Sequence, residues 1–152
     1  MIAIGSDHGG FKLKQHLKQF LKKINREAFD FGCASEESCD YPDLGLPLAK
    51  AVASGKYEFG VLVCGTGIGM CMVANKVKGI RAAVVHDEFT ARMAKEHNNA
   101  NIICLGGRVL DEKAAEKIVK VFLESEFDGS RPEGARHKNR VDKINRLDEK
   151  RE

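Results

Sequence analysis

The sequence predicts an α/β protein: a doubly wound, five-stranded parallel sheet followed by a C-terminal helical tail. Three observations carry this. Five short apolar runs alternate with stretches of helical periodicity. The central run, Phe59–Cys64, is apolar and rich in β-branched residues, as a strand buried on both faces must be. The first, third and fifth runs also end in glycine-rich turns, where a strand hands over to a helix.

Taken in order, Ile2–Gly5 reads as the first strand and Ser6-Asp7-His8-Gly9-Gly10 as its turn. Phe11, Leu17, Phe20, Leu21 and Ile24 then recur at helical spacing among lysines, predicting an amphipathic helix to about Lys23. Glu27–Phe31 is the second strand, and a polar loop runs from Gly32 to Pro42, a residue suited to a helix start. Leu48, Ala49 and Val52 form the inner stripe of a helix ending at Ser54. After the central strand, residues 71–76 are helix-compatible. Arg81–Val85 is the fourth strand, Asp87 an N-cap, and Phe89–Glu96 the helix it opens. Asn101–Leu105 is the fifth strand, followed by Gly106-Gly107-Arg108 and a helix from Asp111 to Glu124.

The tail differs. Pro132 and Gly134 break it early, and Val141, Ile144 and Leu147 make a narrow apolar seam on a charged helix. Such a seam is thin for a core and suits packing on a partner subunit. The expected division is therefore one α/β domain over residues 1–128 and a basic tail over 129–152.

Composition limits the function classes. Net charge is +3, and eight Lys/Arg against five Asp/Glu fall at or after Ser130, leaving seventeen of each before it. A neutral body argues against a broad nucleic-acid face and suits something small and anionic. No apolar run is long enough to span a bilayer, and the N-terminal run lacks a basic leader. Five cysteines without a Cys-x-x-Cys pair fit a reducing cytoplasm and make neither a disulfide framework nor a zinc site.

Chemistry concentrates at Cys64-Gly65-Thr66-Gly67-Ile68-Gly69. Glycines let backbone approach a ligand, and a helix start presents N–H donors, so this loop is a seat for an anion beside a thiol. A P-loop is excluded, because Met70 and Cys71 stand where Lys and Ser/Thr are needed. A cysteine-phosphatase loop fails because Met70 occupies the arginine position. A dinucleotide fingerprint survives weakly, with G-x-G-x-G in place of G-x-G-x-x-G and Asp87 as its acidic residue. Ligands of such sheets sit beyond the carboxyl ends of the strands, which selects Asp7-His8, Cys64–Gly69, His86-Asp87 and Gly107-Arg108. His97-Asn98 joins them only if its loop folds back over that edge.

These segments form an ordered set. Ser6–Phe11, Asp40-Tyr41-Pro42-Asp43, Cys64–Gly69, Glu96-His97-Asn98-Asn99-Ala100-Asn101, Gly106-Gly107-Arg108 and Gly134–Val141 together resemble the type B ribose-5-phosphate isomerases, over essentially the whole chain. That family also holds the allose- and galactose-6-phosphate isomerases. The resemblance implies a Rossmann-like fold, a homodimer or dimer of dimers, and aldose–ketose isomerisation of a sugar phosphate without metal or cofactor. Cys64 would be the base moving a proton between C1 and C2. His97 would help open the furanose ring, assisted by Asp7. Thr66 and the amides of Gly65, Gly67, Ile68 and Gly69 would hold the enediolate oxygens. His8, Arg108, Arg136 and Arg140 would contact the phosphate, the tail arginines from a neighbouring subunit. Tyr41 and Asn98 would line the sugar.

Two departures from the family pattern bear on these roles. Some members carry a glutamate base where this chain has Met70, which favours the cysteine variant. About five extra residues precede the tail motif, so Arg131 or Arg136 is the first clamp arginine; Arg136 keeps the spacing of His137 and Arg140. Plainer uses exist for each residue: Asp7 as a helix cap, His97 as a complement to a helix dipole, Arg108 as a surface ion pair, and the remaining cysteines as packing.

Overall fold

A computed structural model describes residues 1–149. Five strands, β1 (Ile2–Ser6), β2 (Ala28–Asp30), β3 (Phe59–Cys64), β4 (Ala82–Val84) and β5 (Ile102–Gly106), form one sheet in the order β2-β1-β3-β5-β4, every pair parallel. Six α-helices accompany it: α1 (Phe11–Lys23), α2 (Tyr41–Ala53), α3 (Ile68–Ala74), α4 (Glu88–Glu96), α5 (Glu112–Glu124) and α6 (Ala135–Asp148). The predicted class and all five strands are present, with boundaries shifted by a residue or two.

Side-chain alternation along the strands divides the core in two. Ile4, Val61, Val63, Ile103 and Leu105 face α1, α4 and α5, where Leu17, Ala91, Ile118 and Phe122 meet them. Ala3, Leu62, Cys64, Ile102 and Cys104 face α2 and α3, against Leu48, Val52, Met70 and Ala74. Helices thus cover both faces, which is why the central strands read as apolar on every position. Lys14, on α1, is fully buried: its Nζ donates to Asp30 Oδ1 at 2.9 Å and to the Cys33 carbonyl at 2.5 Å. Burial alone would raise the Asp30 pKa, but Lys18, Lys14 and the Gly32 amide outweigh it and hold the carboxyl below its usual range.

The tail helix α6 packs on its own chain. Val141 is buried, Arg81 Nη1 donates to Asn145 Oδ1 at 3.0 Å, and the Gly79 amide donates to Asp148 Oδ2 at 2.9 Å. The expected seam therefore splits, since Ile144 and Leu147 stay 42% and 59% exposed while Val141 turns inward. Among the described residues no helix is long and apolar enough to cross a membrane.

Candidate active site

Beyond the carboxyl ends of β1, β3 and β5, three loops lie backbone against backbone. The Asp7 amide donates to the Val63 carbonyl at 3.2 Å, Gly107 to Cys64 at 2.7 Å, and Arg108 to Gly65 at 3.0 Å. The contact is too close for a side chain: a β-carbon at Gly10 would stand 2.5 Å from the Val63 carbonyl oxygen. Gly67 caps α3 at φ +81°, a left-handed turn that glycine adopts without strain. That turn directs the Gly67 amide at Cys64, whose buried Sγ accepts it at 3.1 Å.

Side chains gather around this edge. The Arg108 guanidinium lies over Gly65, where a β-carbon would come within 3.3 Å of Nη1. The Tyr41 ring lies against Gly69, 2.8 Å from the place a β-carbon would take. Thr66 is exposed at the loop tip, with Oγ1 accepting from the Ile68 amide at 3.3 Å. Asp7 is buried and its Oδ1 accepts from the Gly10 amide at 3.1 Å, so it does cap the turn before α1. His8 Nδ1 accepts from the Cys39 amide at 3.2 Å. Asp7, His8, Tyr41, Cys64, Thr66 and Arg108 thus share one edge.

His97, Asn98, Arg136 and Arg140 do not join them. Helix α4 runs opposite to the strands, so its last turn points back to their amino ends, where the Asn101 carbonyl accepts from the Gly60 amide at 2.9 Å. The loop does not fold back: β5 alone spans about 13 Å at ~3.3 Å per residue between this end and the other. His97 stacks on buried His137 with ring centroids 4.1 Å apart and planes 10° from parallel. Arg136 Nε donates to His137 Nε2 at 3.2 Å, and Asp128 Oδ2 lies 4.0 Å from His97 Nε2. Burial, and then His97, Arg136 and Arg140, push the His137 pKa below its ordinary value, with Asp128 opposing.

His97, Asp128 and His137 bring potential metal-ligand atoms within 4.8 Å of one another. Imidazoles bind an ion through in-plane lone pairs, and two stacked, parallel rings cannot aim theirs at one point. Arg136 also occupies His137 Nε2. Arg136 and Arg140 both act on His137, and against the one carboxylate, Asp128, the cluster carries an excess of positive charge that fits an anion better.

A family model described as Ribose/Galactose Isomerase matches residues 2–144. The chain belongs to this family. A solved ribose-5-phosphate isomerase B from Clostridium thermocellum is 50% identical, with 98% of this chain and 97% of that one covered and a TM-score of 0.93. A second solved structure, ribose-5-phosphate isomerase B from Mycoplasma genitalium with bound ribulose 5-phosphate, is 41% identical, with coverage of 99% and 97% and a TM-score of 0.90. A D-erythrulose-4-phosphate isomerase from Pectobacterium atrosepticum is 43% identical over 129 residues, 84% of this chain and 85% of that protein.

Other sequence-selected residues fall outside both clusters. Asp87 accepts from the Thr90 amide at 2.7 Å and from Thr90 Oγ1 at 2.8 Å, a cap for α4, so the dinucleotide reading loses its acidic group. Arg131 is 3.5 Å from Glu126 and lines a hollow of about 530 Å³ with Arg92, Glu96 and Asp128; its side chain pairs with Glu126, and Asp128 borders both this hollow and the histidine stack. Sequence reasoning missed Asp128 altogether, since nothing local links it to a histidine 31 positions earlier. It also left Cys71 as plain packing. Hydrogen bonding from Cys104 lowers the Cys71 thiol to about 7, against the effect of burial, while fully buried Cys104 is pushed well above its usual value.

Proposed function

We propose that this chain interconverts ribose 5-phosphate and ribulose 5-phosphate through an enediolate, with Cys64 as base, in a site assembled from two copies of the chain. The observation that carries the proposal is the placement of Cys64. Its sulfur is held by the Gly67 amide at the strand tip, in the loop where Arg108 lies over Gly65 and Tyr41 against Gly69. Family membership and the ribulose 5-phosphate held by the Mycoplasma relative support the substrate class.

In the open-chain aldose, Cys64 takes the C2 proton and returns it to C1, while the O2 hydroxyl proton passes to O1, leaving a ketose. The C–H electron pair becomes the enediolate between these steps, and charge develops on the oxygens. Thr66 and the amides of Gly65 and Gly69 serve those oxygens, because donors fixed in advance stabilise developing charge more than the ground state. The Gly67 and Ile68 amides already serve Cys64 and Thr66. His8, Arg108, Arg136 and Arg140 anchor the phosphate, which holds the reacting carbons in place. Arg136 takes the first clamp position because it belongs to the His97 cluster and Arg131 is paired with Glu126. His97 and Asp7 open the ring, and Tyr41 and Asn98 line the sugar.

One chain cannot join these groups, since Cys64 and His97 lie at opposite ends of a parallel sheet. A twofold dimer brings the amino edge of one copy to the carboxyl edge of the other, twice over. On α2 and on α3, the helix that follows the Cys64 loop, Tyr41, Leu46, Ile68 and Met72 leave apolar side chains exposed, a surface that a second copy covers.

Cys64→Ala and His97→Ala proteins, each nearly inactive alone, should regain about a quarter of wild-type turnover when unfolded and refolded together. Half of the dimers are then mixed, and each mixed dimer holds one intact site. No recovery despite mixed dimers would place both residues in one chain's site. Turnover of ribose 5-phosphate is measured beside erythrulose 4-phosphate, galactose 6-phosphate and allose 6-phosphate, in excess chelator. Preference for a tetrose or hexose phosphate would keep the chemistry and replace the substrate.

A further inference from the structure

We propose that the backbone N–H of Cys39 is a positioning group. It holds His8 in the tautomer whose proton sits on Nε2, so that His8 meets the substrate phosphate as a neutral hydrogen-bond donor. The Cys39 amide donates to His8 Nδ1 at 3.2 Å. A backbone N–H can only donate, so Nδ1 must offer its lone pair, and the proton of the neutral ring is left to Nε2. The two residues stand 31 positions apart, and both are half-buried.

Both ends of this contact are anchored by other bonds. His8 lies in the turn after β1, where the Gly10 amide donates to the Asp7 carbonyl at 3.2 Å and to Asp7 Oδ1 at 3.1 Å. Cys39 closes the loop between β2 and α2, which starts as an extension of the sheet. The Ser6 amide donates to the Gly32 carbonyl and the Cys33 amide to the Ser6 carbonyl, each at 2.7 Å. Buried Lys14 ties the Cys33 carbonyl to Asp30, whose Oδ1 also accepts from the Gly32 amide at 2.9 Å. Residues 34–38 are exposed. The chain returns at Cys39 to enter α2, whose first turn closes with the Asp43 amide on the Asp40 carbonyl at 3.2 Å. Standing ahead of that helix, the Cys39 N–H goes to a side chain of another loop.

The tautomer decides what His8 can do. Ionised phosphate oxygens accept hydrogen bonds, so Nε2–H attracts them, whereas the other tautomer would set a lone pair against them. Without the Cys39 bond the ring is free to turn over and to carry its proton on either nitrogen, and the fraction of protein ready to bind falls. The phosphate role of His8 rests on the proposed function; its tautomer does not.

Nitrogen NMR of the full-length protein at about pH 8, where an ordinary imidazole is neutral, reads the ring directly. Expected for His8, assigned by loss in His8→Gln, are an unprotonated Nδ1, a protonated Nε2 and a scalar coupling between Nδ1 and the Cys39 amide nitrogen. A protonated Nδ1, or two exchanging tautomers, overturns the proposal. Cys39→Ala keeps the N–H and should keep these signals; a changed tautomer there overturns the role of the backbone. Cys39→Pro removes the N–H and should lose the single tautomer. It should raise KM for ribose 5-phosphate roughly fivefold, about the worth of one hydrogen bond, with kcat within about twofold. A folded Cys39→Pro protein with an unchanged ring or an unchanged KM overturns the coupling. If that protein does not fold, two further variants decide. A Gln amide reaches the place of Nε2 and an Asn amide only that of Nδ1, so His8→Asn should raise KM roughly tenfold and His8→Gln about threefold. Equal losses overturn the donor role of Nε2. If the wild type turns over no sugar phosphate, the isomerase reading fails, while the ring nitrogens still decide the tautomer.

Discussion

The carboxyl and amino edges of the sheet are built by different means. At the carboxyl edge three loops interlock through backbone, and Cys64 can move only if β1, β3 and β5 move with it. At the amino edge the groups hang on side chains: one histidine stacked on another, an arginine on the second, a carboxylate at 4.0 Å from the first. A proton-transfer base must keep its distance to carbon, and a rigid backbone provides that. Phosphate anchoring and ring opening tolerate more play. In the proposed site the proton-transfer base therefore sits on the backbone-built edge, while His97, Arg136 and Arg140, which join Asp7, His8 and Arg108 in ring opening and phosphate anchoring, come from the edge built on side chains.

The largest effect should separate the edges by chemistry. Cys64→Ala should lower kcat on ribose 5-phosphate by roughly 10³-fold and His97→Ala by roughly 10²-fold, within the range for a lost proton-transfer group. A tetrose 4-phosphate has its O4 esterified and cannot close a furanose ring. On that substrate His97→Ala should approach wild type while Cys64→Ala keeps its full loss. Equal losses on both substrates would erase the assignment of ring opening to His97.

Next is rigidity itself. Gly10→Ala sets a β-carbon against the Val63 carbonyl and should cost about 1–3 kcal/mol, read as a lower urea midpoint at unchanged m-value. Asn98→Ala, exposed at the other edge, should stay within about 0.5 kcal/mol of wild type. A tolerated Gly10→Ala would mean that the loops are less tightly seated than their hydrogen bonds require.

How much of this was legible in sequence also differs between the edges. The Cys64 loop was readable because its causes are local: strand ending, alternating glycines and helix start stand within a dozen residues. The parallel sheet was readable because helices and strands alternate. The order β2-β1-β3-β5-β4 was not, since every strand has the same apolar character and nothing in β5 announces that it inserts between β3 and β4. Nor was the place of His97. Its spacing ahead of a strand is visible, but whether the loop doubles back depends on how α4 and α6 pack. His137 lies forty residues away, and its stacking on His97 is a tertiary event. Val141, turned inward while Ile144 stays out, shows the same limit: periodicity names a seam and leaves open which partner buries each residue.

Acid should unfold the two edges in different windows, and this is the smallest effect expected. His137 has its pKa lowered in the folded chain, by burial first and by its cationic neighbours. Above the ordinary imidazole value of 6.5 both folded and unfolded chains hold it neutral, and its contribution to stability is complete. As pH falls below that value the unfolded chain takes the proton first, so stability is lost, and the loss levels off once the folded-state pKa is passed. Asp30, beside the carboxyl edge, behaves as a carboxylate with a lowered pKa: its contribution is present above the ordinary 3.8 and is lost as pH falls below that. Urea midpoints measured from pH 7 to pH 3 should therefore decline in two steps. His137→Gln should remove the upper step and leave the lower, because Lys14, Lys18 and Asp30 do not touch the histidine stack. A variant that keeps the upper step would move that proton to another group and leave the amino edge without a proton to gain.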